Sequence, residues 1–236
     1  MKSKHWADGP WIGFDTETTG TDPATARILQ AAVITDDPDD VLREEDRVLL
    51  VNPGIPIPAE ASAVHGITAD KLEGAMPPAD AIPYIVGTLQ GRALHRNYPL
   101  VVYNASYDLP LLMAEGRRLQ PWGWAVPTGF SPMILDPLVI DRALDKYRKG
   151  SRKLEAAAGH YGVKLAGAHD AAADARAAIG IMRALVKAYP DLRRNTLEQL
   201  QQVQAKWHAE WRDHLNEYWE SIGKADRVSG SWPMGA

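Results

Sequence analysis

Three apolar, β-branched stretches follow one another near the start of the chain, at residues 10 to 17, 27 to 35 and 46 to 52. Between them stand turn formers, Gly20-Thr-Asp-Pro23 and the acidic run Asp36-Asp-Pro-Asp-Asp40. Strand after strand with no helix between them predicts an antiparallel start to a sheet. A Pro-rich connection, Asn52-Pro-Gly-Ile-Pro-Ile-Pro58, then changes the pattern. Short helical segments are expected at 59 to 64 and at 68 to 74, the latter with Thr68 as N-cap, followed by a longer helix over 78 to 92. Leu100-Val-Val-Tyr103 reads as a fourth strand running into a helix from 106 to 119. A short strand near 134 and 135 precedes helices over 138 to 144, 152 to 161 and 170 to 188. Consecutive strands first, then strands alternating with helices, predict an α/β fold with a mixed central sheet flanked by helices.

Tyr189-Pro190-Asp191 ends that pattern, and residues 196 to 222 read as one long helix whose apolar and aromatic positions recur at helical spacing. The expected organisation is a domain over 1 to 189 and a C-terminal helical appendage with a tail over 190 to 236. The appendage is expected to pack Trp207, Trp211 and Tyr218 on the domain; docking of a partner, or self-association, is the rival use of that face. For Gly230-Ser-Trp-Pro233 two readings stand: a tail folded back through Trp232, or disorder.

With 236 residues, 45% of them hydrophobic, the chain can bury a substantial core. No apolar run spans a bilayer, and Met1-Lys-Ser-Lys-His-Trp lacks the apolar region of a secretory signal, so a cytoplasmic protein away from membranes is expected. There is no cysteine, which excludes disulfides and thiolate metal sites and leaves oxygen or imidazole as metal ligands. The formal charge of -4 runs against the cation excess usual in nucleic-acid binders. Its distribution matters more, because clustered acids can be offset by cations they hold.

Three acidic clusters carry the chemistry. In Trp11-Ile-Gly-Phe-Asp-Thr-Glu-Thr-Thr-Gly20, Asp15 and Glu17 are two apart on a strand and project from one face. At about 6 to 7 Å and an effective dielectric near 20 they repel by roughly 2 kcal/mol, which a divalent cation would relieve. Taken alone, the pair is equally well a strand end with two solvated acids. In Val101-Val-Tyr-Asn-Ala-Ser-Tyr-Asp108, Asp108 falls in the first turn of a helix, where an acid is also favoured by the helix dipole. In Ala168-His-Asp-Ala-Ala-Ala-Asp174, Asp170 suits an N-cap, whereas Asp174 shares its side of the helix with Ala178, Ile181 and Leu185. A carboxylate on the packed face needs a partner.

Together, and in this order, Phe14-Asp-Thr-Glu-Thr-Thr-Gly20, Asn104 with Asp108, and His169 with Asp174 resemble the three motifs of the DEDDh 3′-to-5′ exonucleases, the DnaQ-like family of the DNA polymerase III epsilon proofreading subunit. Pro58-Ala-Glu-Ala-Ser-Ala-Val-His-Gly-Ile-Thr68 resembles a further loop of that family, and the likeness runs from about residue 10 to 188. Tyr103 and Tyr107 stand where many relatives have His and Phe. The sister class that uses Tyr in place of His would need it at position 170, which is Asp.

The resemblance implies a ribonuclease H-like fold and a metal-dependent hydrolase of terminal phosphodiester bonds that releases nucleoside 5′-monophosphates in proofreading or repair. It implies two divalent ions, Mg²⁺ or Mn²⁺, held by Asp15, Glu17, Asp108 and Asp174, with His169 as general base. It also implies contacts to the terminal nucleotide from Thr16, Thr18, Thr19, Glu60, His65 and Asn104. For Glu60 and His65, an ordinary helix acid and a loop-packing residue are the bland alternatives. The implied partner is a single-stranded or frayed 3′ end of DNA, with a DNA polymerase as docking partner. The alternatives are a DEDDh ribonuclease, of oligoribonuclease or tRNA-trimming type, and a catalytically silent polymerase-docking module that binds nucleic acid. The run Lys146-Tyr-Arg-Lys-Gly-Ser-Arg-Lys153 would either track the incoming strand or form a solvated loop.

Overall fold

The computed structural model describes residues 5–37, 46–94, 96–167 and 169–234. The acidic segment beyond Asp37 lies outside the described residues, as does the start of the chain. Strands β1 (Trp11–Thr18), β2 (Ile28–Asp36) and β3 (Arg47–Leu50) form the antiparallel start, and β4 (Leu100–Val101) and β5 (Ile134–Leu135) join it in parallel, in the order β3-β2-β1-β4-β5. The sheet is mixed, as the order of elements requires.

Period-2 alternation along β1 and β2 sorts the two layers. Ile12, Phe14, Ala31 and Val33 enter one core with helices α2 (Pro78–Leu89) and α3 (Ala105–Leu119). Trp11, Ala32 and Ile34 enter the other, with α5 (Leu154–Tyr161), α6 (Ala171–Ala188) and residues of α4 (Pro137–Leu144). Gly13 lies on the second face, where α6 crosses so closely that a Cβ would stand 2.8 Å from Ile179 Cδ1 and 3.0 Å from the Ala175 carbonyl. This close approach is what seats the first turn of α6 against β1.

Two expected helices differ in kind. Residues 68 to 74 provide only a 3₁₀ turn over Ala69–Leu72, preceded by a seven-residue helix, α1 (Ala59–His65). Thr68 holds the N-cap position, as expected, but makes no side-chain capping bond. The helix expected to reach residue 92 is α2 to Leu89, continued by a π-turn over Gln90–Leu94.

Residues Leu197–Ser221 form α7, opened by a capping box between Thr196 and Gln199. Its buried positions, Leu197, Leu200, Gln204 and His208, end at 208. There α7 covers the exposed edge of the sheet. Gln201 accepts from Ile134 N (3.1 Å) and donates to Ile134 O, while Gln204 donates to Ile134 O (3.0 Å) and accepts from Asp136 N (2.8 Å). Two side-chain amides thus satisfy backbone groups that a further strand would otherwise pair. Trp207 packs against both cores, and Trp211 is half-buried. Tyr218 departs from expectation: it is 59% exposed, because α7 has by then run past the domain. The tail returns along α7 through Asn216, bonded to Val228, and Arg212, bonded to the Gly230 carbonyl. Trp232 then enters the first core, 6% exposed. Of the two readings of Gly230–Pro233, the folded one holds. No described helix is long and apolar enough to cross a membrane.

Candidate active site

Strand β1 presents Asp15 and Glu17 on the face toward α6, while Thr16, on the other face, donates its hydroxyl to Asp108 Oδ1 at 2.6 Å. Asp108 is aimed from the first turn of α3, which begins at a strained turn: Asn104 sits at φ 66°, ψ 52° and its side chain gives no cap. The turn is held from outside. Asp136, 1% exposed, accepts from Asn104 N (3.1 Å), Ala105 N (2.9 Å), Leu138 N (3.0 Å) and the Trp232 indole (3.1 Å). Sequence reasoning passed over Asp136, although an acid directly before Pro137 at a helix start is an N-cap signature.

The third cluster lies at the start of α6. Asp170 is the N-cap, accepting from Ala173 N at 3.1 Å. Asp174 is 9% exposed; its Oδ2 accepts from His169 N (3.3 Å), and its buried Oδ1 has no partner. His169, at φ 66°, brings a ring nitrogen to 3.3 Å from Glu155 Oε1 on α5. One donor atom each from Glu17, His169 and Asp174 lie within 4.8 Å of one another. These residues, with Asp15 and Asp108, line one cavity of about 650 Å³ whose other walls carry Tyr103, Arg142, Arg152 and Lys153.

Crowding shows in the protonation of these acids. Burial first, then the charges of Asp108, Asp174 and Glu17, raise Asp15 well above the usual carboxylate range. Burial and then Asp174 and Asp108 raise Glu17 to about 7. Burial raises Asp108 to about 7 against the opposing Thr16 bond, and Asp174 to about 6 against the opposing His169 N–H. Four carboxyls all raised above their ordinary range mark a site short of positive charge. Hard carboxylate oxygens, one of them the orphaned Asp174 Oδ1, fit a Mg²⁺- or Mn²⁺-type cation.

Not every expected contact residue faces this cavity. Thr16 and Asn104 line it. Thr18 donates to Gly20 O (2.8 Å) beside the Tyr107 hydroxyl, and Thr19 accepts from Arg27 N (2.9 Å), so both hydroxyls hold the β1–β2 connection. Neither they, Glu60 nor His65 is among the cavity's described lining residues. Glu60 is exposed on α1. His65 is half-buried, accepting from Ile67 N at Nδ1 (3.0 Å) with its Nε2 unpartnered. In the basic run, Arg148 and Arg152 are bound to the buried Asp141, whereas Lys146, Tyr147 and Lys149 face solvent. The run is thus neither wholly a strand track nor wholly a solvated loop.

The family model described as exonuclease, RNase T, matches residues 12–182. The exonuclease CP81 of Escherichia phage 186 is 34% identical over 193 residues, covering 79% of this chain and 93% of its own. A DNA polymerase III subunit epsilon-like protein of Rhodobacter capsulatus is 39% identical over 106 residues, 43% of this chain and 14% of that protein. Among solved structures, E. coli Exonuclease I in complex with a dA16 oligonucleotide superposes with a TM-score of 0.64 at 24% identity, over 79% of this chain and 42% of that one. This chain therefore spans less than half the length of those last two relatives. An Exonuclease I from Methylocaldum szegediense gives 0.59 at 26% identity, over 78% and 42%. The matched span holds β1, α3 and the first turn of α6, the three elements that converge on the cavity, and the chain belongs to the exonuclease family of nucleases.

Proposed function

We propose that this protein is a DEDDh-type 3′-to-5′ exonuclease that removes terminal nucleotides from DNA by a two-metal mechanism. The observation that carries the reading is Asp174 Oδ1, buried and unpartnered beside Glu17 and His169, in a cavity where Asp15, Glu17, Asp108 and Asp174 all titrate above their ordinary range. In this reading Asp15, Glu17, Asp108 and Asp174 would hold two divalent cations. Such ions stabilise charge on the transferring phosphoryl group and on the departing oxygen.

The residues of the chain do the rest. His169 takes a proton from water as its oxygen bonds to phosphorus; the bond from phosphorus to the 3′ oxygen breaks, that oxygen takes up a proton, and a nucleoside 5′-monophosphate leaves. Glu155, 3.3 Å from the ring, orients the imidazole. Thr16 fixes Asp108, and Asn104 at the cavity rim meets the terminal nucleotide. DNA is favoured as substrate because E. coli Exonuclease I, similar in fold, is known in complex with dA16 and dT13 oligonucleotides. Likeness to epsilon-like proteins favours a proofreading or repair setting.

The test is digestion of 5′-labelled DNA and RNA oligonucleotides with Mg²⁺ or Mn²⁺, alongside Asp15→Asn. A ladder of shortened, 5′-labelled DNA that vanishes with chelator or with Asp15→Asn is expected. Activity indifferent to either would remove the metal mechanism, preferred cleavage of RNA would move the protein to the ribonucleases, and binding without cleavage would make it a silent module.

A further inference from the structure

One wall of the cavity holds a cation that the chemistry above does not use. Arg142, in the last turn of α4, is half-buried and lines the cavity, yet among the described residues it makes no ion pair and no hydrogen bond. The acids whose fields reach it are engaged elsewhere: Asp136 with the Asn104–Ala105 turn and the Trp232 indole, Asp141 with Arg148, Arg152 and the Tyr161 hydroxyl. A guanidinium stays charged at any ordinary pH, so burial without an anion is unfavourable.

What holds Arg142 in place is α7. Its guanidinium carbon stands 3.8 Å from the centroid of the Trp211 ring. Trp211 is in turn tilted against His208, at 5.5 Å between ring centroids, and His208 is buried with Nε2 3.4 Å from Ser106 Oγ in the first turn of α3. Contact with the ring face occupies none of the guanidinium N–H donors, which stay available for a phosphate taken by two parallel hydrogen bonds. Lys153, exposed on the same cavity and also without an ion pair among the described residues, adds a second positive charge. The acids come from β1, α3 and α6, whereas the fork comes from α4, a separate element on the cavity wall.

We infer that Arg142, braced by Trp211, binds the phosphodiester next upstream of the scissile one, which makes α7 part of the strand-binding site. This rests on the exonuclease reading. Arg142 is a binding residue; Trp211 acts through it as a positioning residue.

The experiment measures anisotropy of a 5′-fluorescein oligothymidylate bound to the full chain carrying Asp15→Asn, with Mg²⁺ present. The oligonucleotide is either unmodified or has one uncharged methylphosphonate at the first, second or third linkage from its 3′ end. The second-linkage substitution is expected to weaken binding about tenfold, Arg142→Ala to weaken it similarly, and the two together to add little more, with a salt slope lower by about 0.7. Arg142→Lys, which keeps the charge and loses the stacked fork, and Trp211→Ala should fall between, while Trp211→Phe stays near the parent. A folded Arg142→Ala protein that still loses tenfold on second-linkage substitution overturns the inference and leaves the exonuclease reading standing. A parent chain that binds no strand overturns both.

Discussion

Without a cation, the acids of β1, α3 and α6 stand against one another, and the folded protein should feel it as a function of pH. Glu17 titrates at about 7 against an ordinary 4.5, Asp108 at about 7 against 3.8, and Asp174 at about 6 against 3.8. All three residues are buried within the fold, but they line an open cavity, so solvent softens part of the effect and the energies these shifts imply are upper bounds. A carboxyl whose folded value exceeds its unfolded one binds more protons in the native state. Its stabilising contribution is complete below the unfolded value and lost as pH climbs through the folded one, here between about pH 4 and pH 7. For Glu17 alone the difference amounts to about 3 kcal/mol; because the acids share their repulsion, the full set falls short of three times that. Thermal melts in chelator should therefore drop by about 6 to 12 °C from about pH 5 to about pH 8. Asp15→Asn, which removes the acid at the centre of the cluster, should melt higher than the parent at the upper pH and nearly level with it at the lower. Added Mg²⁺ should reverse the order, since saturation at about a hundred times its dissociation constant returns about 2.7 kcal/mol to the parent alone. A metal-free melting temperature that stays flat or rises over this range, or an Asp15→Asn protein less stable than its parent in chelator at about pH 8, would refute the reasoning.

Three further perturbations probe the frame around the site. Gly13→Ala sets a methyl 3.0 Å from the Ala175 carbonyl and 2.8 Å from Ile179 Cδ1, so α6 must shift and carry Asp174 with it. Stability should fall by about 1 to 3 kcal/mol in melts and turnover by at least about tenfold, and a variant unchanged in both would show the approach to be slack. His169→Ala should keep Mn²⁺ binding by calorimetry near the parental value while lowering turnover by about 10² to 10⁴; near-normal turnover would remove the base assignment. Trp232→Ala empties a core position and takes a donor from Asp136, and denaturant titration should register a loss of about 3 kcal/mol or more. A loss below about 1 kcal/mol would mean that the tail contributes little.

Much of the site is written in short-range spacing. Asp15 and Glu17 share a face because strands repeat every two residues, and Asp174 shares a side with Ala178 because helices repeat about every four. Such relations survive in a bare string of residues, as do the order of strands and helices and the N-cap at Asp170. The sequence alone therefore determined a mixed sheet with acids at three marked places. Other relations span tens of residues, and no local period encodes them. Gly13 matters because α6 arrives there; Thr18 and Thr19 turn to the β1–β2 connection because Tyr107 and Arg27 meet them; and Asp136 joins the Asn104 turn, Gln204 and Trp232 in one buried network. Tertiary structure also decided that α7 closes the sheet edge through Gln201 and Gln204 and stacks Trp211 on Arg142. A side chain's local pattern says which way it points; only the packed chain supplies what waits there.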